Sequence, residues 1–210
     1  MPTVEEAVAE QERLRPLVRA VADPDFTPRF VAGLDVAYGD DDRVVGAVVV
    51  LDADLRTVDE AVVSGVAEFP YVSGLFAFRE LPSLLAAVKK LTVAPDLLVC
   101  DGQGVAHPRR FGLACHLGVL ADLPSIGVAK TPMGPYDLPG TAKGSCTDLV
   151  DDGEVVGRAL RTCDDVKPVF VSVGHRIDLD RACAEVLRLC RTRLPETTRR
   201  ADSLGRRHLR

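Results

Sequence analysis

The chain has 210 residues, of which 47% are hydrophobic and 27% charged. That balance excludes a disordered chain and fits one soluble globular domain over residues 1–210. The longest clean apolar run, Val44–Leu51, has eight residues against the roughly 20 of a membrane span, and a net charge of −5 argues against a general nucleic-acid coating protein.

Thr3 and Glu6 have capping-box spacing before an amphipathic helix, expected to run to about Ala22 with a break or kink at Pro16. Three Val-rich runs follow, Phe30–Tyr38, Arg43–Asp52 and Thr57–Ala67, separated by turn residues as in an antiparallel meander. Asp40-Asp41-Asp42 reads as a solvated turn between two of them rather than a metal site. A helical region spans about Gly74 to Leu91, with Pro82 starting its second half. Asp96–Asp101 reads as a buried strand, Phe111–Ala121 as a helix and Ser125–Ala129 as a short strand. Glu154–Arg161 and Pro168–Val173 are further strands. Asp178 is placed to cap a final helix whose apolar positions, Leu179, Ala182, Cys183, Val186, Leu187 and Cys190, share one face. A meander followed by alternating helices and strands predicts an α/β protein: a mixed central sheet flanked by helices, in the ribonuclease H-like order.

Charge is distributed unevenly. Residues 188–210 hold eight Arg and two acids, a net of +6, which leaves −11 on the other 187 residues. Such a basic C-terminal segment is either a solvated tail or a local phosphate contact. The six cysteines form no CxxC pair, and most sit in apolar company. The acidic N-terminus lacks the basic start and apolar run of a signal peptide. The expectation is a reduced, cytoplasmic protein.

The chemical signal lies in acids that interrupt apolar strands. Asp35 sits within Val31-Ala32-Gly33-Leu34-Asp35-Val36-Ala37, and Asp101 ends Leu97-Leu98-Val99-Cys100-Asp101. An ionised carboxylate there costs several kcal/mol unless it is paired or bound to a metal. If the two strands are neighbours, the carboxylates converge, and hard oxygen donors favour Mg²⁺ or Mn²⁺ over zinc. Taken alone, each is equally a strand-terminal turn aspartate. Glu80, beside Arg79 in a helical segment, reads most simply as half of an exposed ion pair. Lys130, after the strand Ile126-Gly127-Val128-Ala129, is either a surface lysine or a cation for a developing phosphate charge.

Six segments together carry a family resemblance. They are Gly33-Leu34-Asp35-Val36-Ala37-Tyr38, Pro70-Tyr71-Val72-Ser73-Gly74-Leu75-Phe76-Ala77-Phe78-Arg79-Glu80, Asp101-Gly102-Gln103-Gly104-Val105-Ala106-His107-Pro108-Arg109-Arg110, Gly127-Val128-Ala129-Lys130-Thr131, Val171-Ser172-Val173-Gly174-His175-Arg176-Ile177-Asp178-Leu179 and Pro195-Glu196-Thr197-Thr198-Arg199-Arg200-Ala201-Asp202. In that order they resemble the motifs of the endonuclease V family, over about residues 30–205. The resemblance implies a DNA repair nuclease of ribonuclease H-like fold, acting as a monomer. It would recognise inosine and cut the second phosphodiester bond on its 3′ side with Mg²⁺, leaving a 3′-hydroxyl and a 5′-phosphate; Mn²⁺ would substitute.

By motif position Asp35 and Asp101 would be metal ligands, with Glu80 and Asp202 supporting them, and Asp35, Glu80, Asp101 and Lys130 would carry catalysis. Tyr71 takes the wedge position, where a ring fills the gap left by an extruded base. Gly74, Gly102 and Gly112 would let backbone approach that base, and His107 would hydrogen-bond near the cut. Backbone groups can separate hypoxanthine from adenine, because O6 and N1–H reverse the donor and acceptor of N6 and N1. Arg109 and Arg110 are phosphate-contact candidates, and His175 matches but serves equally well to orient a turn. Ser73 stands where the family commonly has a second Pro, which leaves the wedge loop less preorganised. Gln103 stands where His is frequent, and no mechanism attaches to it.

The residues leave open whether one or two ions bind and whether the target is DNA or RNA. A non-catalytic lesion-binding module of the same fold would have lost a metal acid, whereas all four positions here are acidic. A sugar-kinase-type phosphotransferase would need glycine-rich phosphate loops, of which Gly102-Gln103-Gly104 is one weak candidate. A cysteine-dependent hydrolase would need a cysteine in an electropositive, exposed setting.

Overall fold

The computed structural model describes residues 2–209. The Thr3 hydroxyl accepts from the Glu6 N–H while the Glu6 carboxylate accepts from the Thr3 N–H, which closes the capping box of α1 (Val4–Leu14). The helix ends well before Ala22. Around Pro16, residues Arg15–Leu17 tighten into a 3₁₀ turn and Val18 is extended, because proline has no N–H to donate and its ring crowds the preceding turn.

The meander forms as expected: β1 (Val31–Tyr38), β2 (Arg43–Leu51) and β3 (Thr57–Val66), all antiparallel. Asp41 and Asp42 take positive φ in the tight turn between β1 and β2, where aspartate is tolerated. Every residue of β2 after Arg43 is buried, since helices cover both sheet faces. That accounts for a continuous apolar run instead of alternation.

Beyond β1 lie β4 (Leu97–Asp101) and β5 (Ser125–Ala129), each parallel to its inner neighbour. Then come β8 (Val169–His175), β7 (Glu154–Leu160) and β6 (Cys146–Asp151), giving one eight-stranded mixed sheet in the order β3-β2-β1-β4-β5-β8-β7-β6. The sequence reading did not include β6. Only Leu149 of its six residues is buried, so this edge strand carries no apolar alternation to read.

Helices α2 (Ala77–Lys90) and α3 (Leu113–Ala121) pack one face, with Leu81, Leu84, Ala114 and Leu117 against Leu34, Val48 and Leu98. Pro82 does not open a second half of α2; it lies inside one uninterrupted helix. The buried face of Leu81, Leu84 and Ala87 holds the turn that proline deprives of a hydrogen bond. Helix α4 (Leu179–Leu189), capped by Asp178, and α5 (Glu196–Leu209) cover the other face.

Helix α5 bears on the two readings offered for the basic C-terminal segment, as far as Leu209. The segment is no solvated tail: Ala201 and Leu204 are buried in the core, and its arginines are largely paired within the protein, Arg199 and Arg200 with Glu196 and Arg206 with Asp202. The approach is so close that a Cβ on Gly33 of β1 would stand 2.1 Å from the Thr197 backbone. The low apolar content of α5 hid it from periodicity, because small residues rather than large ones make the contact.

Candidate active site

Leu34 of β1 is the register partner of Cys100 of β4, and both side chains join the core beneath α2 and α3. Side chains alternate along a strand, so the next residues, Asp35 and Asp101, turn together toward the opposite face. Asp202 reaches the same place from α5. Lys130, just past β5, donates a hydrogen bond to Asp101 Oδ2. Burial pushes the Asp35 carboxyl up to about 8, and the Asp101 and Asp202 carboxylates push in the same direction against the pull of Lys130. Burial works to lower Lys130, but the Asp101 hydrogen bond and the nearby carboxylates outweigh it, and the ammonium is held above its usual range.

Glu80 is not half of an exposed ion pair. It is 6% exposed within α2, and burial followed by the Asp35 charge holds its carboxyl well above the usual range. Its neighbour Arg79 turns away to Asp42 at 2.8 Å and the Phe69 carbonyl at 2.6 Å. The Tyr38 hydroxyl instead donates to Glu80 Oε1 at 3.3 Å.

Four carboxyl side chains, two of them (Asp35 and Glu80) held above their usual range, form an oxygen donor set that suits a hard divalent cation. Among the described residues no three such side chains stand close enough to ligate one ion as placed, and Lys130 provides the positive charge at Asp101. By charge and donor type the residues fit the metal.

A cavity of about 170 Å³ opens beside the acids, lined by Gln11, Gly74, Phe76, Glu80, Asp101, Gly102, Gln103, His107, Gly112 and Met133 among others. The Gly74 carbonyl is its most heavily braced atom. It accepts from Arg109 Nη2 at 2.6 Å and Gln11 Nε2 at 3.2 Å, and it lies 2.9 Å from His107 Nε2. Gly74 has φ +78°, and a Cβ there would meet Arg109 Nη2 at 2.7 Å. Burial and then the Arg109 charge pull His107 down to about 4, against the Gly74 hydrogen bond, so the ring is neutral. Tyr71, 75% exposed, projects just ahead of this loop with its ring 5.6 Å from that of Phe76.

Both arginines expected at phosphate are half-buried and engaged by protein partners. Arg109 is bound to Gly74 and to Gln11 Oε1 at 2.6 Å, and Arg110 is paired with Asp151 and Glu154. Their forked donors brace the Gly74 loop and tie the chain after His107 to the β6–β7 turn. His175 Nδ1 accepts from the Arg19 N–H at 3.3 Å, a structural contact. Sequence reasoning missed Gln11, Tyr38 and Phe76. Tyr38 and Phe76 lie within quoted motifs and could have been flagged as aromatic residues next to acids; Gln11 sits on a distant helix and gave no signal.

Acids gathered from the middle of β1, the end of β4 and two helices of a ribonuclease H-like sheet, with a lysine at their rim and a purine-scale cavity alongside, define the class as a phosphodiester-cleaving nuclease. The endonuclease V family model matches residues 12–203. The chain belongs to the endonuclease V family, the deoxyinosine 3′ endonucleases. It is 58% identical to an endonuclease V of Nocardia farcinica over 213 residues, covering 99% of this chain and 93% of that protein. It superposes on the crystal structure of the Streptomyces avermitilis endonuclease V with a TM-score of 0.94 at 57% identity, covering 100% of this chain and 94% of that one. The Ciona intestinalis endonuclease V (D234N), crystallised with a 23mer DNA containing an inosine followed by a ribo-adenosine, matches at TM-score 0.88 and 30% identity, over 99% and 98% of the two chains. No described helix is long and apolar enough to cross a membrane.

Proposed function

We propose that this chain binds nucleic acid containing deoxyinosine, takes hypoxanthine into the 170 Å³ cavity and hydrolyses the second phosphodiester bond on the 3′ side. The products are a 3′-hydroxyl and a 5′-phosphate. One observation carries the reading: Glu80 and Asp101 belong to the cavity wall and to the acid cluster alike, so a base held in one lies against the chemistry of the other.

Asp35 and Asp101 would hold Mg²⁺, or Mn²⁺ in its place, with Glu80 and Asp202 in support. The bound ion supplies charge for phosphate oxygens and acidifies a water. Lys130 Nζ offers a fixed positive charge to the phosphate as its charge grows in the transition state. The Glu80 carboxyl, held above its usual range by burial and then by the Asp35 charge, stands on the cavity wall, where it would orient a water at the cut. Tyr71 fills the stack after the base leaves, while Gly102 and Gly112 keep cavity walls of backbone. Arg109 and His107 act by fixing the Gly74 carbonyl, not by touching phosphate. The chain would act as a monomer in the cytoplasm, where a reducing environment keeps its six cysteines free.

The test is nicking of matched single-stranded and duplex DNA and RNA oligonucleotides, with and without inosine, in Mg²⁺ or EDTA. Inosine-dependent cleavage one nucleotide removed from the lesion, abolished by EDTA, is expected. Cleavage independent of inosine would overturn the reading, and cleavage of RNA alone would move the substrate to RNA.

A further inference from the structure

Three aromatic rings form a continuous line from the wedge loop to the acid cluster. Tyr71 meets Phe76 edge-on at 5.6 Å and 76°, and Phe76 meets Tyr38 at 5.7 Å and 39°. The Tyr38 hydroxyl then donates to Glu80 Oε1. We propose that Tyr38 and Phe76 are positioning residues that tie the placement of Tyr71 to the placement of the Glu80 carboxylate, so that cleavage depends on wedge insertion. The proposal rests on the reading of Tyr71 as wedge and Glu80 as a cleavage residue, and adds the link between them.

The two ends of the line differ in rigidity. Glu80 is fixed in α2 and almost fully buried. Tyr71 and Phe76 are 75% and 39% exposed and lie ahead of the helix; the segment is pinned at the Gly74 carbonyl, and Phe76 sits at the N-cap of α2, which leaves the Tyr71 side of the pin as the freer end. A ring driven into a base stack presses on its contact partner, and the edge-on contact passes that pressure to the Phe76 ring. Phe76 also lines the base cavity, so an occupied cavity and an inserted wedge press on the same ring.

Tyr38 is the joint at which this pressure meets the acids. The Arg79 guanidinium lies over its ring, 5.5 Å from the centroid, and is itself anchored to Asp42 and Phe69. Its hydroxyl–carboxylate separation of 3.3 Å exceeds the roughly 2.5–2.7 Å of a strong charge-assisted bond. The bond has room to shorten, and pressure from Phe76 on the ring supplies a means. A merely structural tyrosine would leave the wedge and the carboxylate energetically independent.

The experiment measures single-turnover cleavage and, separately, the Kd for an inosine duplex in Ca²⁺. Tyr38→Phe keeps the ring and removes the hydroxyl. It should slow cleavage of bound substrate by about 10- to 100-fold while Kd changes less than about twofold. Phe76→Leu should slow cleavage likewise, and Tyr71→Ala should cost less in either background than in wild type, because the link is already cut. Multiplicative effects of Tyr71→Ala with both variants, or a Tyr38→Phe rate within about twofold of wild type, would overturn the proposal while an inactive Glu80→Gln leaves the parent reading standing. A fully active Glu80→Gln would overturn both.

Discussion

Lys130 Nζ and Asp101 Oδ2 are joined by a hydrogen bond across two neighbouring parallel strands, Asp101 at the end of β4 and Lys130 immediately past β5. One carboxylate is thereby neutralised by a neighbour whose backbone is fixed by the sheet, and the ammonium is fixed in return. The charge at the rim of the acid cluster is preorganised, and no long side chain has to be recruited when substrate arrives.

Lys130→Met should therefore damage the chemical step more than binding. The loss of a preorganised charge at the transition state predicts a fall of roughly 10²–10³ in single-turnover rate, with Kd for an inosine duplex nearly unchanged. Parallel rate and filter-binding measurements check this. A loss confined to Kd would mean that Lys130 only anchors the strand.

Asp35→Asn should trade activity for stability. Burial, and after it the charges of Asp101 and Asp202, push the native carboxyl up to about 8, so a neutral isostere escapes the cost of burying an acid in the metal-free protein. Urea unfolding in EDTA should show a gain of about 1–2 kcal/mol, together with loss of Mg²⁺-dependent nicking. A destabilised variant would indicate that the acid is compensated more fully than its neighbours suggest.

Gly74→Ala places a Cβ on a residue with φ +78° and 2.7 Å from Arg109 Nη2. Backbone strain of about 1–2 kcal/mol should loosen the loop that presents Tyr71. Affinity for inosine duplex should fall more than affinity for undamaged duplex. Equal losses on both would argue that the loop serves general DNA contact.

Acid stability offers an independent check on the core. His116 of α3 is 3% exposed, sits between Phe78 at 5.2 Å and Phe111 at 5.1 Å, and has a buried Nδ1 without a hydrogen-bond partner. Burial pulls it down to about 4, against the pull of Glu10. Between about pH 6.5 and 4 the unfolded chain takes up a proton that the folded chain refuses, so stability is lost as pH falls through that window, up to about 3 kcal/mol. His107 titrates in the same range. His116→Phe should flatten the decline of unfolding free energy below pH 6.5 by as much as one proton's slope; an unchanged slope would mean that carboxylates alone set the acid limit.

Most of the sheet was legible because its strands are long, apolar and punctuated by Asp and Gly turns. Asp35 and Asp101 stood out because a charge in such a run is costly to bury. What the sequence hid follows from contact chemistry. Helix α5 packs through Gly33, Thr197 and Ala201, which leave no large apolar stripe, and edge strand β6 buries one residue. Glu80 looked solvated because its neighbour is Arg79, yet successive helical residues point in different directions, and the two side chains make separate contacts. Arg109 and Arg110 carried the right charge for phosphate, but their partners, Gln11 and Asp151, lie far away in sequence, beyond the reach of any local pattern.

Asp202 stands on α5, and α5 seats against β1, the strand that carries Asp35. Two of the four acids are thus brought together by the docking of one helix on one strand, through small residues at Gly33 and Thr197. Loosening that single seam would part the acids while leaving the rest of the sheet paired.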